Sequence, residues 1–360
     1  MSEMSSEPRE MKRLEARPQY ALSTRILIEL YQQGELPAIE ELMVEPTYGY
    51  AGRVLYRDGA VRMFRGSDVG LNSSGARQTA GDKGYTKYFL QALGYHTPPG
   101  KVFLLPHYVE MLDKSLAKYD FHAYTQSTEI DRYIATEIGY PCYLKPNEGS
   151  QGKGVRRCLN RQDVEQALAH YQQERVAMVL VEQAIPWPDY RVVVFDGRVV
   201  LSYLRTPLTI TGDGVSKIRA LLQQKHEQFV RLGRTAVIDS DDPRIIQRLA
   251  RRQYYLDTIL PAGEQCPLQD VSNLSAGGDA TDYSELIHPR WQELCIEVSA
   301  AMGLRLCGVD LACEAIEQSQ GAYSILELND APGLANYAAL GNVQYQRVRQ
   351  LYKDVFAKAV

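Results

Sequence analysis

Two dipeptides constrain the fold more than any other feature. Asp58-Gly59 and Asp196-Gly197 each sit between alternating apolar runs, in "RVLYRDGAVRMF" and "YRVVVFDGRVVLSYLR". Asp-Gly readily supplies the positive φ that a tight hairpin turn demands. Each therefore predicts an antiparallel pair, and a chain with two such pairs is not built on a purely parallel sheet. Helical periods alternate with these strands. Ser23 to Gly34 reads as a helix. Val164, Ala167, Leu168 and Tyr171 mark another, and Trp291, Leu294, Cys295, Val298 and Met302 mark a third, from Pro289 to Gly303. A last helix runs from about Gln344 to Phe356. Leu71 to Gly81 reads as a loop. A helix follows from Asp82, with Phe89, Leu90 and Leu93 on its apolar side and Gly94 as its stop. The class is an α+β or α/β mixture.

Composition narrows the function. A chain of 360 residues, 45% hydrophobic and 23% charged, buries a large core and divides into two or three lobes. A net charge of -4 gives no electrostatic case for a nucleic-acid or membrane partner. No apolar run approaches the roughly 20 residues of a membrane helix. The polar start, "MSEMSSEPREMKRLEARP", lacks the apolar core of a secretory signal and reads as a mobile tail or a surface-docked arm. None of the six cysteines forms C-x-x-C, so buried reduced thiols are expected rather than a zinc site, in a cytoplasmic setting.

Three stretches carry chemistry. In "CGVDLAC" and "YSILELN" the carboxylates Asp310 and Glu327 stand in apolar strands, where a charge needs a partner. Alternation puts Ile325, Glu327 and Asn329 on one face and Leu326 and Leu328 on the other. Asp310, Glu327 and Asn329 make an all-oxygen set suited to magnesium; pairing with arginines such as Arg305 is the alternative. "YLKPNEGSQGKGV" places Lys145 on a strand, followed by a Gly-rich loop. It is not a P-loop, because Lys153 is followed by Gly154 and not by a hydroxyl. Its backbone amides suit an anion, though a plain Gly-rich hairpin fits the residues as well. Glu182 ends a strand and Asp189 follows "QAIPWP", either as readers of a nucleoside or as surface acids at a lobe boundary.

Taken in order, Lys83, Lys145 with its loop, Glu182, Asp189, Asp310, Glu327, Asn329 and "APGL" resemble an ATP-grasp ligase from about Leu71 onward. "DYRVVVFDGRVV", "RTPLTITGDGVSKIRALL", "NLSAGGDATDYSELIHP" and "CGVDLAC" are most similar to the ATP-grasp portion of cyanophycin synthetases and of bifunctional glutathione-synthesising enzymes. D-Alanine–D-alanine ligases are similar more distantly. The resemblance implies two α+β lobes gripping ATP. It gives a pre-ATP-grasp-like region at 1–82, a central lobe at 83–185 and a C-terminal lobe at 186–360. It implies ATP contacts at Lys83, Lys145 and the lid residues Glu148, Gly149, Ser150, Gly152 and Gly154. Glu182 falls at the adenine side and Asp189 at the ribose. Asp310, Glu327 and Asn329 match ligands of two magnesium ions, with manganese as an alternative.

The implied reaction joins a carboxylate to an amine through an acyl phosphate, releasing ADP and phosphate. D-Alanine ligases carry an arginine two residues before the first metal aspartate, where this chain has Gly308. Arg205 is therefore the candidate for the transferring phosphoryl group, with Arg191 second and Lys217 in the nearby "GDGVSK". Gly212, Asp213, Gly214, Asn273, Ser275, Gly277 and Asn336 are expected to face the substrate. The sequence shows neither a Mur-ligase-like module nor a glutamate–cysteine ligase module, which favours one amide bond per cycle over alternating polymer synthesis. The expected substrates are amino acids or short peptides. A ligase acting on a protein or peptide terminus, and a non-catalytic ATP-binding protein, are the alternatives. Relatives suggest a homodimer.

Overall fold

The computed structural model describes residues 14–116, 127–149, 152–235 and 238–359. The chain divides into two compact units, Met1–Leu71 with Tyr345–Val360, and Asn72–Gln344.

In the first unit, helix α1 (Leu22–Gln32) buries Ile26, Leu27, Ile28 and Leu30. Strands β1 (Ile39–Val44), β2 (Ala51–Tyr56) and β3 (Val61–Arg65) form an antiparallel meander. Gly59 has a φ of 87° at the expected hairpin turn. The C-terminal helix (Asn342–Phe356) contributes its residues from Tyr345 onward to this unit. Arg62 fixes that helix's end, donating to the carbonyls of Val355 and Lys358 at 2.7 Å each while lying over the Tyr56 and Phe356 rings.

The second unit opens with α2 (Ser74–Gly81) and α3 (Lys83–Ala92). Next come β4 (Gly100–Leu104), α4 (Pro106–Leu116), α5 (Ile130–Tyr133), β5 (Cys142–Pro146), β6 (Arg156–Cys158), α6 (Arg161–Gln173) and β7 (Met178–Gln183). The strands pair antiparallel in the order β4-β7-β5-β6. One face of this sheet packs Leu144, Val179 and Val181 against Val164, Ala167 and Tyr171 of α6, the expected helical stripe. The opposite face carries Tyr143, Lys145 and Glu182.

The unit continues with β8 (Asp189–Phe195), β9 (Arg198–Thr206), β10 (Thr209–Thr211), α7 (Ile218–Arg231), α8 (Pro243–Ala250), β11 (Gln265–Pro267), β12 (Asp279–Asp282), α9 (Pro289–Ala301), β13 (Leu306–Cys313) and β14 (Tyr323–Asn329). Its second sheet runs β12-β9-β8-β13-β14, all antiparallel, over a core that includes Trp291, Cys295 and Val298 of α9. The ribbon β10–β11 packs with α7 and α8 around Leu222, Ile245 and Leu260. No helix of the described residues is long and apolar enough to cross a membrane.

Several local expectations are corrected. The stretch read as a loop holds α2, whose Ser73 side chain accepts from the Ala76 amide; its glycines had weakened the helical signal. On α3 the buried residues are Thr86, Lys87 and Leu90, whereas Phe89 and Leu93 are exposed, because Lys87 is drawn inward to a carboxylate. On β14 the alternation breaks. A register shift opposite Asp310/Leu311 sends both Ile325 and Leu328 to the core and leaves Leu326 and Glu327 at a cavity, as an extra residue in one strand does.

All six cysteines are buried and free, as expected. Burial pushes the thiols of Cys266 and Cys295 upward, and that of Cys307 to about 12. An aromatic disulfide reagent should therefore label fewer than about one thiol in the native chain over minutes. All six should react after denaturation, and rapid native labelling of several would contradict this packing.

Candidate functional site

The second unit encloses a cavity of about 250 Å³. The β4–β7 sheet supplies Tyr143, Lys145 and Glu182, and the other sheet supplies Asp189, Arg191, Arg205, Asp310 and Glu327. Lys83, the first residue of α3, also lines it, as do Gln183 at the end of β7 and Ile185 and Trp187 of the segment between β7 and β8. Asp82 caps α3 by accepting from the Tyr85 amide, and Asn147 bridges Asp82 to the Gly84 amide, which fixes Lys83 beside the loop after β5.

Pairing register places the acids. Asp310 stands opposite Arg191 on one side and Glu327 on the other, and Asp189 stands opposite Arg205. Asp310 is 3% exposed and is gripped by two arginines. The Arg191 Nε donates to its Oδ1, and Arg191 Nη2 and Arg205 Nη2 reach its Oδ2 at 3.1 and 2.7 Å. Arg205 Nη2 also donates to both oxygens of Asp189, at 2.7 and 2.9 Å. Burial alone would raise the Asp310 pKa, but the two guanidinium groups outweigh it and hold the carboxyl below its ordinary value. Glu327 lies 3.9 Å from Lys83, too far to be fully compensated, and burial raises its pKa.

A second charged cluster sits on the facing sheet. Glu182, 2% exposed, receives Lys145 on Oε1 and Lys87 at 3.4 Å from Oε2. Burial pushes Glu182 up, yet the two lysines prevail and its pKa is lowered. Burial lowers the Lys87 pKa despite the carboxylate. Sequence reading passed over Lys87; its signal was its position on the same helix face as Lys83 and Leu90, where a cation needs a buried partner. Tyr143 and Trp187 were likewise passed over.

Of the expected ATP contacts, Lys83, Lys145, Gly149, Gly152, Glu182 and Asp189 line the cavity. Glu148 makes a backbone bridge with Asp82. Gly154, at φ 72°, abuts Pro146, and a Cβ there would lie 2.8 Å from its Cγ. Ser150 lies outside the described residues. Cations of the chain hold both acids: Lys145 and Lys87 pair with Glu182, and Arg205 pairs with Asp189. The arginines that pair with Asp310 are Arg191 and Arg205; Arg305 instead binds Asp196. Of the candidate metal set, Asp310 and Glu327 face the cavity, while the Asn329 side chain donates to the Gly308 carbonyl at 3.4 Å. Among the described residues no cluster of three or more His, Cys, Asp or Glu is assembled. The two hard carboxylates fit a magnesium ion whose remaining ligands come largely from phosphate and water.

The substrate candidates divide. Asn273 lines the cavity and accepts from the Ser275 amide and hydroxyl. Gly277 packs beside Ile238 and Leu208, and Asn336 accepts from Thr235. Gly212, Asp213, Gly214 and Lys217 form the turn into α7, away from the cavity lining. Asp213 accepts from the Val215 and Ser216 amides, which with the Ser216 side chain bring its pKa to about 2. Lys217 pairs with Asp257 at 3.2 Å.

Two tests follow from this ionic wiring. Asp310→Ala strands two buried arginines and should cost about 3–5 kcal/mol in a denaturant titration of the ligand-free protein; a cost under about 1 kcal/mol contradicts the pairing. Because the Glu182 pKa is lowered from 4.5, its contribution is complete above that value and is lost as pH falls through the folded pKa. Between about pH 6 and about pH 3 the urea midpoint should fall more steeply for the native chain than for Glu182→Gln; parallel declines contradict this.

Comparison with known proteins agrees with the geometry. A family model described as the ATP-grasp domain matches residues 110–195. The glutathione biosynthesis bifunctional protein of Streptococcus mutans is 32% identical over 238 residues, covering 64% of this chain and 28% of that protein. The cyanophycin synthetase of Trichormus variabilis is 30% identical over 269 residues, covering 73% of this chain and 27% of the relative. The chain thus spans about a quarter of the length of these curated relatives. Among solved structures, a bifunctional glutathione synthetase from Pasteurella multocida aligns with a TM-score of 0.56 at 20% identity, over 94% of this chain and 45% of the other. The chain carries an ATP-grasp domain and has the ATP-grasp fold.

Proposed function

We propose that the chain is an ATP-dependent carboxylate–amine ligase that forms an amide bond between amino acids or short peptides. One observation carries the reading: a single cavity gathers Lys83, Lys145, Arg191 and Arg205 around the facing carboxylates Asp310 and Glu327. A triphosphate and a substrate carboxylate repel each other, so a site that joins them needs several cations and a way to offset negative charge. Lys83 and Lys145 would hold the phosphate chain, and Arg205 would contact the γ-phosphoryl group. Asp310 and Glu327 would hold magnesium, which when bound neutralises phosphate charge and polarises the phosphoryl group. The sheets β4–β7 and β8–β14 would act as the two lobes, and the loop after β5 as a lid.

The reaction balances in two steps. A substrate carboxylate oxygen bonds to the γ-phosphorus as the bond to ADP breaks, leaving an acyl phosphate. An amine nitrogen then bonds to the acyl carbon, inorganic phosphate departs and one proton is released. Water must be excluded meanwhile, a task suited to the loop carrying Gly149, Gly152 and Lys153. An enzyme acting on small substrates fits a chain of net charge -4, which offers no basic surface excess for nucleic acid.

The test is ADP release across paired amino acids and short peptides, with product mass measured. ADP and a product with the summed mass of the two partners less one water should appear only when both partners are present. No ADP across the panel, despite ATP binding, would contradict catalysis. Arg205→Lys, which keeps a cation against Asp310, should lower kcat by about 100-fold or more while changing ATP affinity less than about 5-fold. Near-normal turnover would remove Arg205 from the phosphoryl step.

A further inference from the structure

Beside the cavity lies a second concave region with an unbalanced lining. Arg244, Arg248 and Arg251 recur at i, i+4 and i+7, so α8 and the residue just after it present one basic face. Arg156 and Arg157 of β6 stand across from it. Among the described residues these five arginines line two adjoining hollows of about 30 and 190 Å³. Three carboxylates answer them: Asp270 at 2.6 Å from Arg248, Asp163 at 2.9 Å from Arg251, and Asp242 at 2.6 Å from Arg244. Arg157 stands 4.0 Å from the same Asp270, and Arg156 makes no ion pair among the described residues.

Assembling excess positive charge in a cleft is unfavourable for the free protein, because the guanidinium groups repel one another. Val155, Asp270 and Val271 line both this cleft and the main cavity, so the two adjoin across a shared wall. Lys83, Lys145 and Arg205 already serve the triphosphate end of the main cavity. An anion in the cleft therefore belongs to the other reactant.

We propose that the arginine cleft binds the carboxylates of an acidic peptide substrate, one that carries further carboxylates besides the group that reacts. This rests on the ligase reading. The planar guanidinium fork matches a carboxylate with two parallel hydrogen bonds. Substrate selection then comes from the cleft, and the chemistry from the cavity.

The test uses the whole chain without ATP. Fluorescein-labelled tetraglutamate and tetraglutamine are titrated by fluorescence anisotropy at about 50 mM salt, where surface charge still acts. Tetraglutamate should bind at least about 10-fold more tightly, and Arg156→Gln should erase most of that difference while leaving thermal stability and ATP affinity unchanged. Arg156→Lys should restore part of it. Equal binding of both peptides, or no effect of Arg156→Gln, overturns the proposal. So does loss of tetraglutamate binding in Lys145→Ala together with intact binding in Arg156→Gln, which would place the anion in the nucleotide cavity. ADP release is measured separately: intact peptide binding without ADP formation contradicts the ligase reading and leaves the cleft standing.

Discussion

The carboxylate of Asp310 is the point on which the cavity depends. It sits in the middle of an apolar strand, where an isolated charge would be costly, and it persists as a carboxylate because Arg191 and Arg205 converge on it. That requirement propagates outward. Arg205 cannot reach Asp310 without also meeting Asp189, its cross-strand neighbour, so one guanidinium ties β8, β9 and β13 together at the cavity wall. Gly308 makes room for this arrangement, since a Cβ there would lie 2.9 Å from the Arg191 Cδ.

A balance of charge follows. The cavity is lined by Lys83, Lys145, Lys153, Arg191 and Arg205, and by Glu182, Asp189, Asp270, Asp310 and Glu327. Positive and negative groups are equal in number, so a bare triphosphate meets a wall whose cations are already engaged. A nucleotide with its cations brings both signs at once. It can offer phosphate oxygens to the arginines and lysines while the freed carboxylates take the cations. The internal ion pairs let the buried charges be tolerated without a nucleotide, and under the proposed function nucleotide entry would be a trade of ion pairs rather than a gain of new ones. Burial raises the pKa of Glu327, which Lys83 approaches only to 3.9 Å, and also that of Asp189 despite its pairing with Arg205.

Much of this was legible in the sequence because local signals and chemistry coincided. Asp-Gly pairs gave the hairpins, helical periods gave α6 and α9, and carboxylates stranded in apolar strands announced a site. What stayed hidden depends on long-range geometry. The pairing of Asp310 with Arg191 rests on the register of β8 and β13, which are 119 residues apart at these positions. The bulge that turns Ile325 inward has no composition signature. Lys87 shares a helix face with Lys83 and Leu90, but its buried partner Glu182 lies on a distant strand. Helix α8 was hidden in a charged stretch, although its Asp242 cap and Pro243 at the first turn are a starting signal in retrospect. From the resemblance Lys217 is a catalytic candidate and the turn at Gly212 a substrate contact; in the fold Lys217 pairs with Asp257 and the turn leads into α7, outside the cavity lining. The backbone at Gly212 passes so close to Pro261 that a Cβ would lie 2.2 Å from its carbonyl oxygen.

The central claim is that nucleotide binding exchanges the chain's internal ion pairs for contacts with phosphate and its counter-cations. A crystal structure with ADP and magnesium tests it most directly. The account predicts the nucleotide within the cavity, its phosphates at Lys83 and Lys145, and Asp310 released from Arg205. A nucleotide bound outside this cavity, or bound within it while Arg191 and Arg205 both keep their hold on Asp310, would contradict it.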